Sequence, residues 1–146
     1  DMPCTSSSLD RPAISLAIDP EEATFDEFGG KSQHMLVNTG TSRLAIKIRC
    51  SNNVLFRVFP VYSSIDSGQC MNLQVTRKPG NKRNDKLIVQ FTAMPADEKN
   101  VKEFMKKEET RGYRMPTLPI LLKMAGSAGP SMASAEDDRT ADSKKR

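Results

Sequence analysis

One histidine, His34, and three cysteines, Cys4, Cys50 and Cys70, are the residues of this 146-residue chain best suited to nucleophilic chemistry. A cysteine nucleophile needs a base within hydrogen-bond reach, so His34 with Cys50 or Cys70 is the pairing to weigh. Both cysteines fall in stretches with a strand pattern, where a small buried thiol is the ordinary occupant. The thiols are odd in number and their spacing matches no zinc motif. No glycine-rich phosphate loop or Ser-His-Asp order occurs. The paired carboxylates Glu21-Glu22 and Glu108-Glu109 are neighbours in sequence and point apart on any regular backbone. These residues predict no catalytic site, no metal and no cofactor. They leave a binding or assembly module, not an enzyme.

Charge narrows the class further. The net +4 is concentrated in one stretch, where Arg77, Lys78, Lys82, Arg83 and Lys86 face Asp85 alone. No aromatic residue interleaves with these cations, so the stretch predicts a solvated hairpin loop and no nucleic acid partner. No apolar run is long enough for a membrane span, and the first residues lack the apolar core of a signal peptide. A soluble intracellular protein with reduced thiols is the expectation.

The elements that would position any site read mostly as strands. Leu44, Ile46, Ile48 and Cys50 alternate with Ala45, Lys47, Arg49 and Ser51, the period of two of a strand with one wet face. Turn residues bound it: Asn38, Thr39 and Gly40 before, Asn52 and Asn53 after. Upstream, Ile14, Leu16 and Ile18 alternate until Asp19-Pro20 ends an edge strand, and a short strand follows over 33–37. Downstream, Val54 to Phe59 is apolar on both faces, which predicts a strand covered on both sides or near an interface. Val61 to Ile65 reads as an extended link. Met71, Leu73 and Val75 face inward in the next strand, then Leu87, Val89, Phe91 and Ala93, with Ile88 exposed between Lys86 and Gln90. Over 95–107 the period changes: Val101, Phe104, Met105 and Glu108 share one stripe of a short helix, with Asp97 as its N-cap. Leu118, Ile120 and Leu122 form the last strand, and Pro119 within it predicts an edge.

The ends are different in kind. Residues 1–12 read as a flexible lead-in and 125–146 as a disordered polar tail, because neither holds enough apolar surface to offset its ordering entropy. Ser127, Ser131, Ser134, Thr140 and Ser143 in that tail are accessible to phosphorylation in this reading. A single domain over 13–124 remains. Seven strands with turn punctuation and one short late helix predict an all-β, immunoglobulin-like seven-stranded β-sandwich.

With these residues in place, the central stretch resembles the major sperm protein (MSP) domain. That superfamily runs from an Asn-initiated turn through a lysine-rich strand ending in Lys-Thr-Thr to a Val-x-Pro element and an Asp-Pro/Ser-Gly turn. This chain has the same order: Asn38, Lys47, Arg49-Cys50-Ser51, Val58 and Pro60, then Ile65-Asp66 and Gly68. Leu16 and Ile18-Asp19-Pro20 resemble the family's first strand, and Lys86 to Gln90 its sixth. HMLVNTG, FRVFPV and NDKLIVQF are most similar to the small sperm-specific members of nematodes. The resemblance implies a cytoplasmic role in the sperm cytoskeleton and pseudopod, with major sperm protein filaments or other sperm cytoskeletal proteins as partners. Because the chain departs from the filament-forming members, a monomer or weak dimer is the expected unit. Another branch of the superfamily, the vesicle-associated adaptors, reads acidic phenylalanine-containing peptides. Its groove positions correspond here to Arg49, Cys50, Ser51, Lys86 and Ile88, so Arg49, Ser51, Lys86 and Ile88 are the candidate partner-binding residues, with Cys50 standing where that branch has a threonine.

Overall fold

The computed structural model describes residues 12–125, so the first eleven residues and 126–146, with Cys4 and the tail serines, lie outside the described residues. Among the described residues nine strands and one helix follow in order: β1 (Leu16–Asp19), β2 (Glu22–Phe25), β3 (Gly30–Asn38), β4 (Leu44–Cys50), β5 (Phe56–Phe59), β6 (Tyr62–Ile65), β7 (Cys70–Arg77), β8 (Asp85–Ala93), α1 (Val101–Thr110) and β9 (Thr117–Met124). They form two sheets, β1-β3-β7-β5 and β2-β9-β8-β4-β6. The inward residues of the two interdigitate, with Leu36, Leu73 and Val75 meeting Ile46, Leu87, Val89 and Ile120, all fully buried. The two-layer architecture is the expected sandwich.

Two of the strands were not anticipated. β2 buries only Phe25 among its four residues, and β6 is Tyr-Ser-Ser-Ile, so neither carries an alternating apolar signature. Each exists because a neighbour supplies a ladder: β2 runs parallel to β9 and β6 antiparallel to β4.

β9 is also not an edge strand, since β2 and β8 flank it. Pro119 fits there for a local reason. Phe91 N–H donates to Pro116 O at 3.1 Å, which makes Leu118 and Ile120 the residues that exchange bonds with β8. The Pro119 nitrogen therefore points to the other side, where pairing with β2 begins only at Leu121.

Val54 to Phe59 is a further correction. Only Phe56–Phe59 is a strand, on the outside of its sheet, and it is not covered on both faces: Phe56 is buried, whereas Phe59 is 73% exposed. The Asn52 side chain takes the N–H groups of Val54 and Leu55 at 3.1 Å each, turning the backbone and leaving Val54 79% exposed.

The basic stretch is not simply solvated either. Arg77 is buried, and its guanidinium donates to the carbonyls of Asp26, Lys78 and Asn81 while lying 5.7 Å from the Phe56 ring. Asp85 is buried beside Arg83, 3.1 Å away.

The helix starts later than expected, at Val101, with Asn100 as N-cap in place of Asp97; its Oδ1 accepts from Glu103 N–H at 3.0 Å. The residues before it face another partner, because Arg43 takes the carbonyls of Pro95, Ala96 and Glu98. The predicted stripe is correct in kind. Met105 is fully buried with Ala45, Met94 and Met115, and Val101 and Phe104 pack beside them.

Candidate functional site

The block from Asn38 to Gly68 is held together by its first residue. Asn38 is fully buried; its Nδ2 donates to Ser42 O (2.9 Å) and Ile65 O (2.8 Å), and its Oδ1 accepts from Gly40 N–H (3.0 Å). Its backbone pairs with Gln69 and Gly68. One side chain thus ties the turn before β4 to the end of β6.

On the outer face of β4 and β8 the four candidate residues come together. Arg49 and Ile88 are direct cross-strand partners, and Ser51 N–H donates to Lys86 O at 3.0 Å one step further along. Residues opposite one another on paired strands share a face, so Arg49, Ser51, Lys86 and Ile88 form one patch. Their freedom differs. Lys86 is exposed and makes no ion pair among the described residues. Arg49 donates from Nε to Gln90 Oε1 at 3.1 Å and lies 3.5 Å from Glu109. Ser51 Oγ donates to Asp85 Oδ1 at 2.8 Å and accepts from Lys86 N–H at 3.1 Å, so its hydroxyl is committed within the chain. Ile88, expected to be exposed, is half-buried, with Arg49 on one side and Pro119 on the other.

Glu109 was not among the sequence-derived candidates. It sits in the last turn of α1 and brings its carboxylate to Lys47 at 3.0 Å. The hydrogen bond from Lys47, helped by the charges of Lys47 and Arg49, holds this carboxyl below the usual range. Beyond it an open groove of about 530 Å³ is lined by Arg49, Gln90, Glu109, Tyr113, Arg114 and Thr117. Nothing in the local sequence marks Glu109, because its role depends on α1 crossing a strand remote in the chain.

The thiols and the histidine do not assemble. His34 is buried, with Nδ1 2.7 Å from Pro20 O and Nε2 2.9 Å from Ser32 Oγ, so both ring nitrogens are engaged away from either cysteine. Cys50 is half-buried, and burial pushes its thiol pKa up. Cys70 is exposed, contrary to the expectation of a buried thiol. No helix among the described residues is long and apolar enough to cross a membrane.

Residues 15–113 match the sequence profile of the MSP (Major sperm protein) domain. The chain belongs to the MSP domain family. The chain is 35% identical over 108 residues to sperm-specific class P protein 32 of Caenorhabditis elegans, covering 74% of this chain and 97% of that protein. Sperm-specific class P protein 31 of the same organism is 41% identical over 85 residues, covering 58% of this chain and 79% of the relative. Among solved structures, WR4, a C. elegans MSP family member, superposes with a TM-score of 0.68 at 30% identity, covering 75% of this chain and 97% of the other. SSP-19, described as an MSP-domain protein like family member of C. elegans, gives 0.66 at 30% identity, covering 75% and 99%. This MSP domain is therefore one of a family of nematode sperm proteins, and its immunoglobulin-like sandwich is the family fold.

Proposed function

We propose that this chain is a non-enzymatic accessory protein of nematode sperm that associates with major sperm protein filaments and modulates their assembly during amoeboid motility. The reading is carried by the relationship to the sperm-specific class P proteins, one of which it matches over nearly its whole length. In this reading the protein acts in the cytoplasm of the pseudopod as a monomer or weak dimer, binds through exposed strands and loops, and turns over no substrate. Co-sedimentation with assembled filaments tests it. The protein is expected in the pellet in proportion to filament mass, and recovery wholly in the supernatant overturns the proposal.

A second reading is favoured by one observation: Arg49, Lys86 and Ile88 lie side by side on an outer face, with cations next to an apolar side chain. Such a surface suits an acidic peptide with an apolar anchor. Titration with an acidic phenylalanine-containing peptide is expected to give salt-sensitive binding that Lys86→Glu weakens. Binding indifferent to salt and to that substitution removes this reading.

A further inference from the structure

The cations on the outer face of β4 and β8 are not equally available. Lys86 is exposed and makes no ion pair among the described residues. Arg49 is partly taken: Nε donates to Gln90 Oε1 at 3.1 Å and Nη2 lies 3.5 Å from Glu109 Oε2, which leaves about three of the five guanidinium donors for a ligand. Lys47 is taken outright, its Nζ 3.0 Å from the same oxygen and 5.6 Å from the centre of the Tyr62 ring. One carboxylate of this chain therefore touches both cations, in the manner that the carboxylate of an acidic partner would.

That contact can open without disturbing the fold. Solvent reaches the Glu109 and Arg49 side chains, 29% and 54% exposed, so the pair is of the weak kind. Met105 seats α1 in its own apolar cluster, and the backbone carbonyl of Glu109 accepts from Gly112 N–H at 3.2 Å, so only the side chain has to turn. A second cation is at hand, since Arg114 lines the same groove, is exposed and makes no ion pair among the described residues. The neighbouring Glu108 is held elsewhere, by Arg111 at 2.7 Å.

We propose that Glu109 is a built-in competitor for acidic partners, whose carboxylate fills the Lys47–Arg49 position until a partner segment with several neighbouring carboxylates displaces it. This rests on the acidic-peptide reading and adds a rule of selection to it. A lone carboxylate binds at the free Lys86 and leaves Glu109 where it is. A segment with several engages Lys86 with one and exchanges with Glu109 at Arg49 and Lys47 with another, while Glu109 turns to Arg114. No cation loses its partner in the exchange. Weakly acidic segments are turned away because the carboxylate already in place repels any that does not replace it.

Titration of the full chain with two labelled phenylalanine-containing peptides, one carrying a single aspartate and the other a run of three, tests the proposal. Glu109→Gln is expected to tighten the triply acidic peptide by about threefold, the scale of a solvent-accessible ion pair, and the singly acidic one by under about 1.5-fold. Glu108→Gln removes the same charge from the same turn and controls for the general field; it is expected to leave both peptides within about 1.5-fold of wild type. In wild type the carboxyl ¹³C resonance of Glu109 is expected to move on saturation with the triply acidic peptide and to stay in place with the other. Equal binding of the triply acidic peptide by wild type and Glu109→Gln overturns the competitor while the acidic-peptide reading stands, and so does an equal gain from Glu108→Gln. Failure of both wild type and Glu109→Gln to bind either peptide overturns the two together. Should a variant melt early, the wild-type resonance still decides, because a Glu109 carboxyl unmoved by saturating triply acidic peptide overturns the proposal.

Discussion

Glu109 Oε2 lies 3.0 Å from Lys47 Nζ, joining the last turn of α1 to the outer face of β4 across 62 residues of chain. The contact secures the end of the helix whose other anchorage is Met105 among Ala45, Met94 and Met115. It also places a carboxylate beside the cations on which the partner-binding readings depend.

The ion pair predicts a pH dependence with a definite sign. The Glu109 carboxyl is held below its ordinary range, first by the hydrogen bond from Lys47. Its stabilisation is therefore present above the unfolded carboxylate pKa and is lost as pH falls through the depressed folded value. Glu109→Gln is expected to cost about 0.5 kcal/mol at neutral pH, the scale of a solvent-accessible pair. Denaturant melts in acid should show wild type and variant converging; a gap that persists there would assign the effect to packing.

Asn38→Ala removes one donor group and one acceptor from a fully buried position, leaving Gly40 N–H and the carbonyls of Ser42 and Ile65 without their partner. The expected loss is about 3 kcal/mol, because each buried polar group left unmade costs about 1–3 kcal/mol. Equilibrium unfolding measures it, and a loss below about 1 kcal/mol would mean that water replaces the amide.

Two cations of the same stretch should behave oppositely. Arg77 serves three carbonyls from a buried position, whereas Lys82 is half-exposed and lies 3.6 Å from Glu27. Arg77→Ala is expected to destabilise by about 3 kcal/mol through lost hydrogen bonds and a cavity, and Lys82→Ala by under about 0.5 kcal/mol. Thermal melts of the two variants decide this, and equal effects would refute it.

The thiols should differ in reactivity, since the thiolate is the reacting form. Burial raises the Cys50 pKa, while Cys70 is exposed. Alkylation followed by peptide mass mapping is expected to label Cys70 first, with Cys50 catching up in denaturant. Faster labelling of Cys50 in the native protein would contradict the direction of its shift.

Alternation was enough to place the inward residues of the long strands. Leu44, Ile46 and Ile48, Leu73 and Val75, and Leu87, Val89 and Phe91 are buried as their spacing requires. The helix stripe of Val101, Phe104, Met105 and Glu108 was legible for the same reason. These are local periodicities, and a strand or helix with one dry face writes them directly into the chain.

The rest depended on which elements became neighbours. β2 and β6 lack a pattern of their own and are strands because β9 and β4 supply hydrogen-bonding partners. Pro119 signals an edge by its missing donor, yet whether that nitrogen meets a neighbouring strand depends on register, which no single strand encodes. Arg77 looks like its neighbouring cations until the turn carbonyls of Asp26 and Asn81 close around it. Spacing along β4 and β8 put Arg49, Ser51, Lys86 and Ile88 on outer faces, but only pairing made them one patch, and only the crossing of α1 brought Glu109 to it. The sequence by itself determined the two-layer architecture, because burial periodicity and turn chemistry are local, and its motifs carried the resemblance to the MSP domain. Tertiary structure alone decided which charges are free and which are spent, because a charge is neutralised by partners remote in the chain.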